Sequence, residues 1–417
     1  MKKFFLQFKN EDWIATFMGA ILVILVIFVP SLGKVKYQFP EGYPDWFAKV
    51  PFEVTKFVII FGLSYIGLKL LDVKMRWFPL SFIFIYGLSF LAQYISTLAP
   101  IKQIGFEAVF FSVAIGLLIR NVFGLPKWLE PAARSEFFIK AGLVVLGTTI
   151  IFGEIMKAGS LGMVQAIIVI LLVWNFSFWL SKKLGIDKEM GVLLSTAVSI
   201  CGVSAAIAAS GAMKGDSKKL SFVVSLVLVV AVPMMYLMPF LAKLMGLTQE
   251  VAGAWLGGTI DTTGAVVASG KFLGDIAESQ SVIIKASQNA LLGVAAFAIS
   301  IYWSMKGTNK ELRPSASVIW DRFPKFVIGF MLASVVFSFL LEPATAKGLS
   351  GAAKALRETL FSVAFVAIGL KTDFRKVFGK ENNRYTAAFL IAQTFNIILT
   401  LAIAFLLFGK YEFSFGF

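Results

Sequence analysis

Two stretches of this chain combine residue types that apolar membrane helices avoid. The first, Leu194 to Ser210, carries Ser195, Thr196, Ser199, Cys201, Gly202 and Ser204 among small residues. The second, Gly253 to Gly270, carries Gly257, Gly258, Thr259, Asp261, Thr262, Thr263 and Gly264. Glycine in a helix interior costs about 1 kcal/mol, and a hydroxyl in hydrocarbon needs a partner. Two arrangements satisfy these costs. One is close helix packing through small residues, with Ser and Thr bonded back to their own helix. The other is a broken helix whose freed amides and carbonyls line a binding site. Asp261 favours the second for its stretch, because a carboxylate at bilayer depth is expensive.

The open N-terminus of a half-helix holds an anion through its amides and dipole, provided that small side chains let the ligand approach the backbone. Ser199, Cys201, Gly202 and Ser204 supply that chemistry. Gly258, Thr259, Thr262 and Thr263 add close approach and hydroxyls, Lys285 adds charge, and Gln288 lies one helical turn from Lys285. These residues form the expected substrate site. Asp261 cannot hold an anion while ionised. With Thr262 and Asn289 it is the expected place for a coupling ion, either a sodium ion on hard oxygen ligands or a proton. No other metal and no cofactor is expected.

The elements that must position these groups are membrane spans. Of 417 residues, 58% are hydrophobic and 15% charged, against about 25% charged in soluble domains; mean hydropathy is +0.82. Apolar segments fall at about 13–32, 55–71, 78–98, 104–124, 138–157, 160–181, 189–211, 220–245, 250–270, 281–303, 325–342, 356–374 and 385–408, about 13 in all and each near the length of a span. The chain has no histidine and one cysteine. That excludes His-based acid–base catalysis, His-ligated metals and disulfides, and no nucleophile–base pair is evident, so no enzyme is expected. The formal charge of +15 is assigned to cytoplasmic loops rather than to nucleic-acid binding. With the N-terminus inside, Lys74, Arg76, Lys127, Arg134, Lys182, Lys183, Lys188, Lys306, Lys310, Arg313, Arg322, Lys371, Arg375, Lys376, Lys380 and Arg384 all fall inside. The loop carrying Lys214, Lys218 and Lys219 falls outside and breaks the rule. The aromatic loop at 37–52 reads as an interfacial belt.

Four motifs carry a family resemblance: Ala114-Ile-Gly-Leu-Leu-Ile-Arg-Asn121, Ser199-Ile-Cys-Gly-Val-Ser-Ala205, Gly258-Thr-Ile-Asp261 with Val266-Val-Ala-Ser-Gly270, and Ala367-Ile-Gly-Leu-Lys-Thr372. In this order the chain resembles the YeiH-type sulfate-exporter family of prokaryotic inner-membrane proteins. That family looks related to cation–proton antiporters and bile-acid sodium symporters. The resemblance implies an all-α polytopic membrane protein with two inverted five-helix repeats, core and panel domains, and broken, crossed helices. Repeat 1 would cover about 104–245 and repeat 2 about 250–408, within a transporter domain at 101–417 that follows a three-helix extension at 1–100. It would cross the Ser199 segment with the one ending at Gly369. It also implies a homodimer through the panel domain.

The chain departs from the family pattern. Asp261 stands where a histidine is usual, Thr262 and Ala265 where an acid and a glutamine are usual, and Gln288 where an arginine is usual. Cationic positions are lost and a carboxylate is gained, which shifts the expectation toward a less charged anion or a site that includes a cation. The expected function is secondary active transport of a small anion, of sulfate, sulfonate or small-carboxylate type, coupled to sodium or a proton. The competing reading is an anion channel or passive uniporter.

Overall fold

The computed structural model describes residues 8–29, 44–98, 108–305, 317–376 and 382–409. The aromatic loop at 37–52 falls partly outside these residues, as do Lys306, Lys310, Arg313 and Lys380. The elements are α1 (Glu11–Phe28), α2 (Pro44–Leu70), α3 (Phe78–Thr97), α4 (Ala108–Leu118), α5 (Ser135–Leu146), α6 (Phe152–Lys183), α7 (Lys188–Thr196), α8 (Val203–Met213), α9 (Ser217–Leu244), α10 (Gln249–Thr259), α11 (Thr263–Leu273), α12 (Asp275–Ala290), α13 (Leu292–Met305), α14 (Ser317–Arg322), α15 (Phe326–Val335), α16 (Pro343–Lys371) and α17 (Asn383–Phe408). No strand occurs among the described residues. Six stretches are long and apolar enough to cross a membrane: Glu11–Phe28, Met75–Ser96, Phe152–Lys183, Ser217–Leu244, Asp275–Trp303 and Asn383–Phe408. The chain divides into two compact units, each made of two stretches.

The first unit comprises Met1–Ile155 and Pro324–Asp373. Ion pairs gather several of its helix ends. Lys9 meets Asp72, Arg134 meets Glu11 at 3.2 Å, Lys140 meets Asp12 at 2.5 Å, and Arg120 meets Asp373 at 2.8 Å. The start of α1, the end of α2, the connection from α4 to α5 and the end of α16 therefore share one side of this unit. The basic-loop pattern assigns the same four places to one side. Inside the unit, α4 and α16 touch backbone to backbone. A Cβ on Gly116 would lie 2.9 Å from Gly369 Cα, and one on Gly369 would lie 2.8 Å from Gly116 Cα. The helix α16 runs unbroken from Pro343 to Lys371. The Gly369 segment, expected to be unwound, is therefore helical throughout: Gly369 packs on Gly116 from within a continuous helix.

The second unit comprises Met156–Phe323 and Phe374–Phe417, and it holds both unusual stretches. Each folds as a re-entrant hairpin rather than as a span. In the first, α7 starts on the side-chain cap Asp187, which accepts from the Met190 amide at 3.1 Å. A wide turn over Ala197–Cys201 follows. The chain then reverses at Gly202, with φ 58° and ψ −107°, and α8 returns. The two ends of the hairpin are joined. Lys219 Nζ lies 2.7 Å from Asp187 and 2.9 Å from Glu189, and the Asp216 amide donates to Glu189. Burial acts to raise the Asp187 carboxyl, but the hydrogen bonds from Lys219 and the Met190 amide outweigh it and hold it below the ordinary carboxylate range.

In the second hairpin, α10 ends at Thr259, residues 260–262 are non-helical, and α11 returns. Gln249 at the start of α10 accepts from the Ala277 amide at 3.3 Å, just beyond the end of α11. Both arms press on α12 at the same residue. A Cβ on Gly257 would lie 2.5 Å from the Ser281 carbonyl oxygen, and one on Gly270 would lie 2.4 Å from Ser281 Oγ. An arm of 11 residues is about 16 Å long, roughly half a hydrocarbon core of about 30 Å.

Between the hairpins runs α9, 28 residues and about 42 Å long. The mouth of the first hairpin lies at its start and the mouth of the second at its end, so the hairpins enter from opposite sides. This corrects the expected 13 crossings: the segments at 189–211 and 250–270 turn back. It also removes the exception in the charge pattern. The loop with Lys214, Lys218 and Lys219 lies on the same side as Lys182, Lys183 and Lys188, because nothing crosses between them.

Side-specific labelling tests this topology. In intact cells and inverted vesicles, Lys188→Cys and Lys218→Cys should react with an impermeant maleimide from the same side, and Met245→Cys from the other. A chain that crosses at 189–211 would label Lys188→Cys and Lys218→Cys from opposite sides.

Candidate functional site

The site is built where the two hairpin tips meet. Gly202 approaches Asp261 so closely that a Cβ on it would lie 3.1 Å from Asp261 Cβ and 3.2 Å from its carbonyl oxygen, and 2.6 Å from Val227 Cγ1. The positive φ and the lack of room both require glycine.

A turned backbone leaves carbonyls without helical partners, and in a buried place these must be met. Side chains from α12 and α17 meet them here. Gln288 Nε2 donates to the Ser199 carbonyl at 2.8 Å and to that of Gly258 at 3.4 Å. Asn396 Nδ2 donates to the Val198 carbonyl at 3.1 Å and to that of Thr259 at 3.4 Å. Each amide thus ties the two hairpins together, one from either helix. Lys285 Nζ donates to the Ile200 carbonyl at 2.9 Å and to Gln288 Oε1 at 2.7 Å. Gln393 Nε2 donates to the Thr259 carbonyl at 2.9 Å. Thr400 fixes Asn396 by donating to its Oδ1 at 2.8 Å, and Gln165 on α6 donates to the Ala254 carbonyl at 2.8 Å.

Most of the expected site residues come together. Ser199, Cys201, Gly202, Gly258, Thr259, Asp261, Lys285 and Gln288 surround the tips, and all are buried. Ser204 lies in the first turn of α8 and is half-buried. Thr262 caps α11, its Oγ1 accepting from the Ala265 amide at 3.3 Å. Thr263 accepts from Asn289 Nδ2 at 3.3 Å. The first-turn amides of α8 have no side-chain cap, so the partial positive charge of that helix end is not met by its own side chains. Buried side-chain oxygens without partners include Ser199 Oγ, Thr259 Oγ1, Asp261 Oδ2, Asn289 Oδ1 and Gln393 Oε1.

Sequence reasoning missed Gln165, Gln393, Asn396 and Thr400. Their signal was present: three amides and the Thr400 hydroxyl inside the apolar runs 160–181 and 385–408, where a polar side chain needs a partner. It did not say which backbone they would meet.

The described helices, with apolar faces outward and a polar crossing within, define a polytopic membrane protein. The chain belongs to the family described as conserved hypothetical protein 698, whose model matches residues 80–385, a range that contains both hairpins. Relatives carry the name UPF0324 membrane protein. One from Nitratidesulfovibrio vulgaris is 36% identical, the match covering 84% of this chain and 63% of that protein, so this chain spans less than two thirds of its length. One from Rhodopirellula baltica is 36% identical over 84% of this chain and 67% of the relative. One from Nitrosomonas europaea is 26% identical over 89% and 90%. No solved structure matches the chain.

The reversal at Gly202 makes a stability prediction. Gly202→Ala adds a methyl where Val227 and Asp261 stand and where φ is positive, and should destabilise by about 2 kcal/mol or more. Gly87→Ala on α3, where a Cβ meets nothing within 4 Å, should leave stability within about 1 kcal/mol. Thermal unfolding of the two purified variants decides; equal effects would remove the special role of Gly202.

Proposed function

We propose that this chain is a secondary active transporter of a small anion, of sulfate, sulfonate or small-carboxylate type, coupled to a sodium ion or a proton. The observation that carries the reading is the pair of opposed re-entrant hairpins meeting tip to tip. Irregular backbone at membrane depth occurs where protein buries it or where it lines a cavity. In secondary transporters, half-helices that end near the midplane form the substrate and ion sites.

The distribution of satisfied and unsatisfied groups supports an anion. The carbonyls released at the tips, which would attract cations, already accept from Lys285, Gln288, Gln393 and Asn396. The uncapped amides at the start of α8 are left for a negative group. Lys285, buried at the same crossing, adds a compact positive charge. Asp261 is the ionisable residue on the opposite tip, suited to carry the coupling ion. The mouth of the first hairpin is rich in lysine, so we place it, and the N-terminus, in the cytoplasm, with the chain in the inner membrane of a prokaryotic cell.

Flux into proteoliposomes tests this. Labelled sulfate, a sulfonate and small carboxylates are offered under an inward sodium or proton gradient. At least one should accumulate above equilibrium, and Asp261→Asn should abolish the gradient dependence while Lys285→Gln lowers uptake at least about tenfold. Flux that only equilibrates and ignores both gradients would make the protein a channel and overturn the proposal.

A further inference from the structure

The oxygens left over at the second hairpin tip distinguish between the two coupling ions. Around this tip the side-chain nitrogens are engaged: Gln288, Gln393 and Asn396 donate to backbone carbonyls, and Asn289 donates to Thr263 Oγ1. Oxygens remain without a partner, among them Thr259 Oγ1, Asp261 Oδ2, Asn289 Oδ1 and Gln393 Oε1. All four residues are more than nine-tenths buried. The four residues border the same break in the chain. Thr259 and Asp261 flank the break, Gln393 is tied to the Thr259 carbonyl at 2.9 Å, and Asn289 is tied to Thr263 just past the break.

A proton on Asp261 would satisfy that carboxyl and at most one neighbouring acceptor. At least two buried oxygens would remain unmet. A bare monovalent cation can be met by all four, since neutral and anionic oxygens are the ligands that hard cations take. A divalent ion fits poorly, because among the described residues no cluster of three acidic or other strong ligands exists. We propose that the tip of the second hairpin is a sodium site formed by Asp261, Thr259, Asn289 and Gln393. Its role as the coupling site rests on the transporter reading above; the binding itself does not.

Charge then links sodium to the anion. Asp261 and Lys285 act on each other electrostatically, and in the state in which both are ionised they sum to zero. Sodium adds one buried positive charge, which is costly. An anion at the start of α8 restores neutrality. Each ion therefore raises the affinity for the other, by the same factor in both directions.

Thermal unfolding of the purified full-length chain, in sodium, potassium or choline chloride at matched ionic strength, tests the site. Sodium should raise the midpoint by at least about 2 °C over the other two. Thr259→Val should keep the midpoint in choline and lose most of the sodium shift, and Asp261→Asn should lose all of it. A shift of the same size in potassium or choline, or one retained in both variants, overturns the sodium site. If Asp261→Asn does not fold, Thr259→Val decides. Gradient-driven anion flux without any sodium shift defeats this inference alone; a sodium shift without anion flux defeats the transporter reading alone.

Discussion

Everything at the centre of this protein depends on one requirement, that a backbone carbonyl released at membrane depth must find a donor. Reversing the chain at Gly202 and at Asp261 releases a cluster of such carbonyls. Water is not at hand to meet them, and an unmet group there costs several kcal/mol. Gln288 and Asn396 meet them in pairs, each bridging a carbonyl of one hairpin to a carbonyl of the other. The same bonds that make the reversals affordable also set the register of the two tips. Backbone satisfaction and site geometry are therefore a single arrangement.

The requirement has a chemical consequence. Donors committed to carbonyls are not available to a ligand, so the groups left at the crossing are the first-turn amides of α8 and side-chain oxygens on both tips, Ser199 Oγ on the first and Thr259 Oγ1 and Asp261 Oδ2 on the second. Lys285 and Asp261, the two ionisable side chains of the crossing described above, are both buried there. A site of this kind holds neutral combinations more readily than single ions, because the low-dielectric surroundings penalise any net buried charge.

The first unit shows the contrasting solution to chain crossing. Gly116 and Gly369 let α4 and α16 touch without interrupting either helix, and Arg120 with Asp373 closes the contact at one end. Small residues thus have two uses in this chain. On α4 and α16 they serve close packing; at Gly202 glycine serves a reversal. Both uses were open for the Ser199 stretch, and composition alone favours neither. The lysine-rich loop at 214–219 held the deciding hint. It violated the charge pattern for as long as 189–211 was a span, and the violation disappears once that segment turns back.

The sequence by itself determined the membrane class, the two stretches unfit for lipid-facing helices, and the gathering of Ser199, Gly202, Asp261, Lys285 and Gln288 as one chemical group. These are readable because hydrophobicity and the cost of a buried charge are properties of each residue and its near neighbours. Only the tertiary structure decided that the stretches are hairpins, that their tips meet each other, and that Gln393 and Asn396 reach the freed carbonyls. Twenty-odd residues of this composition can cross a bilayer or go halfway and return at similar local cost. The difference lies in which distant donor meets the freed carbonyls. Asn396 is 198 residues from Val198 and 137 from Thr259, a pairing that no local pattern encodes.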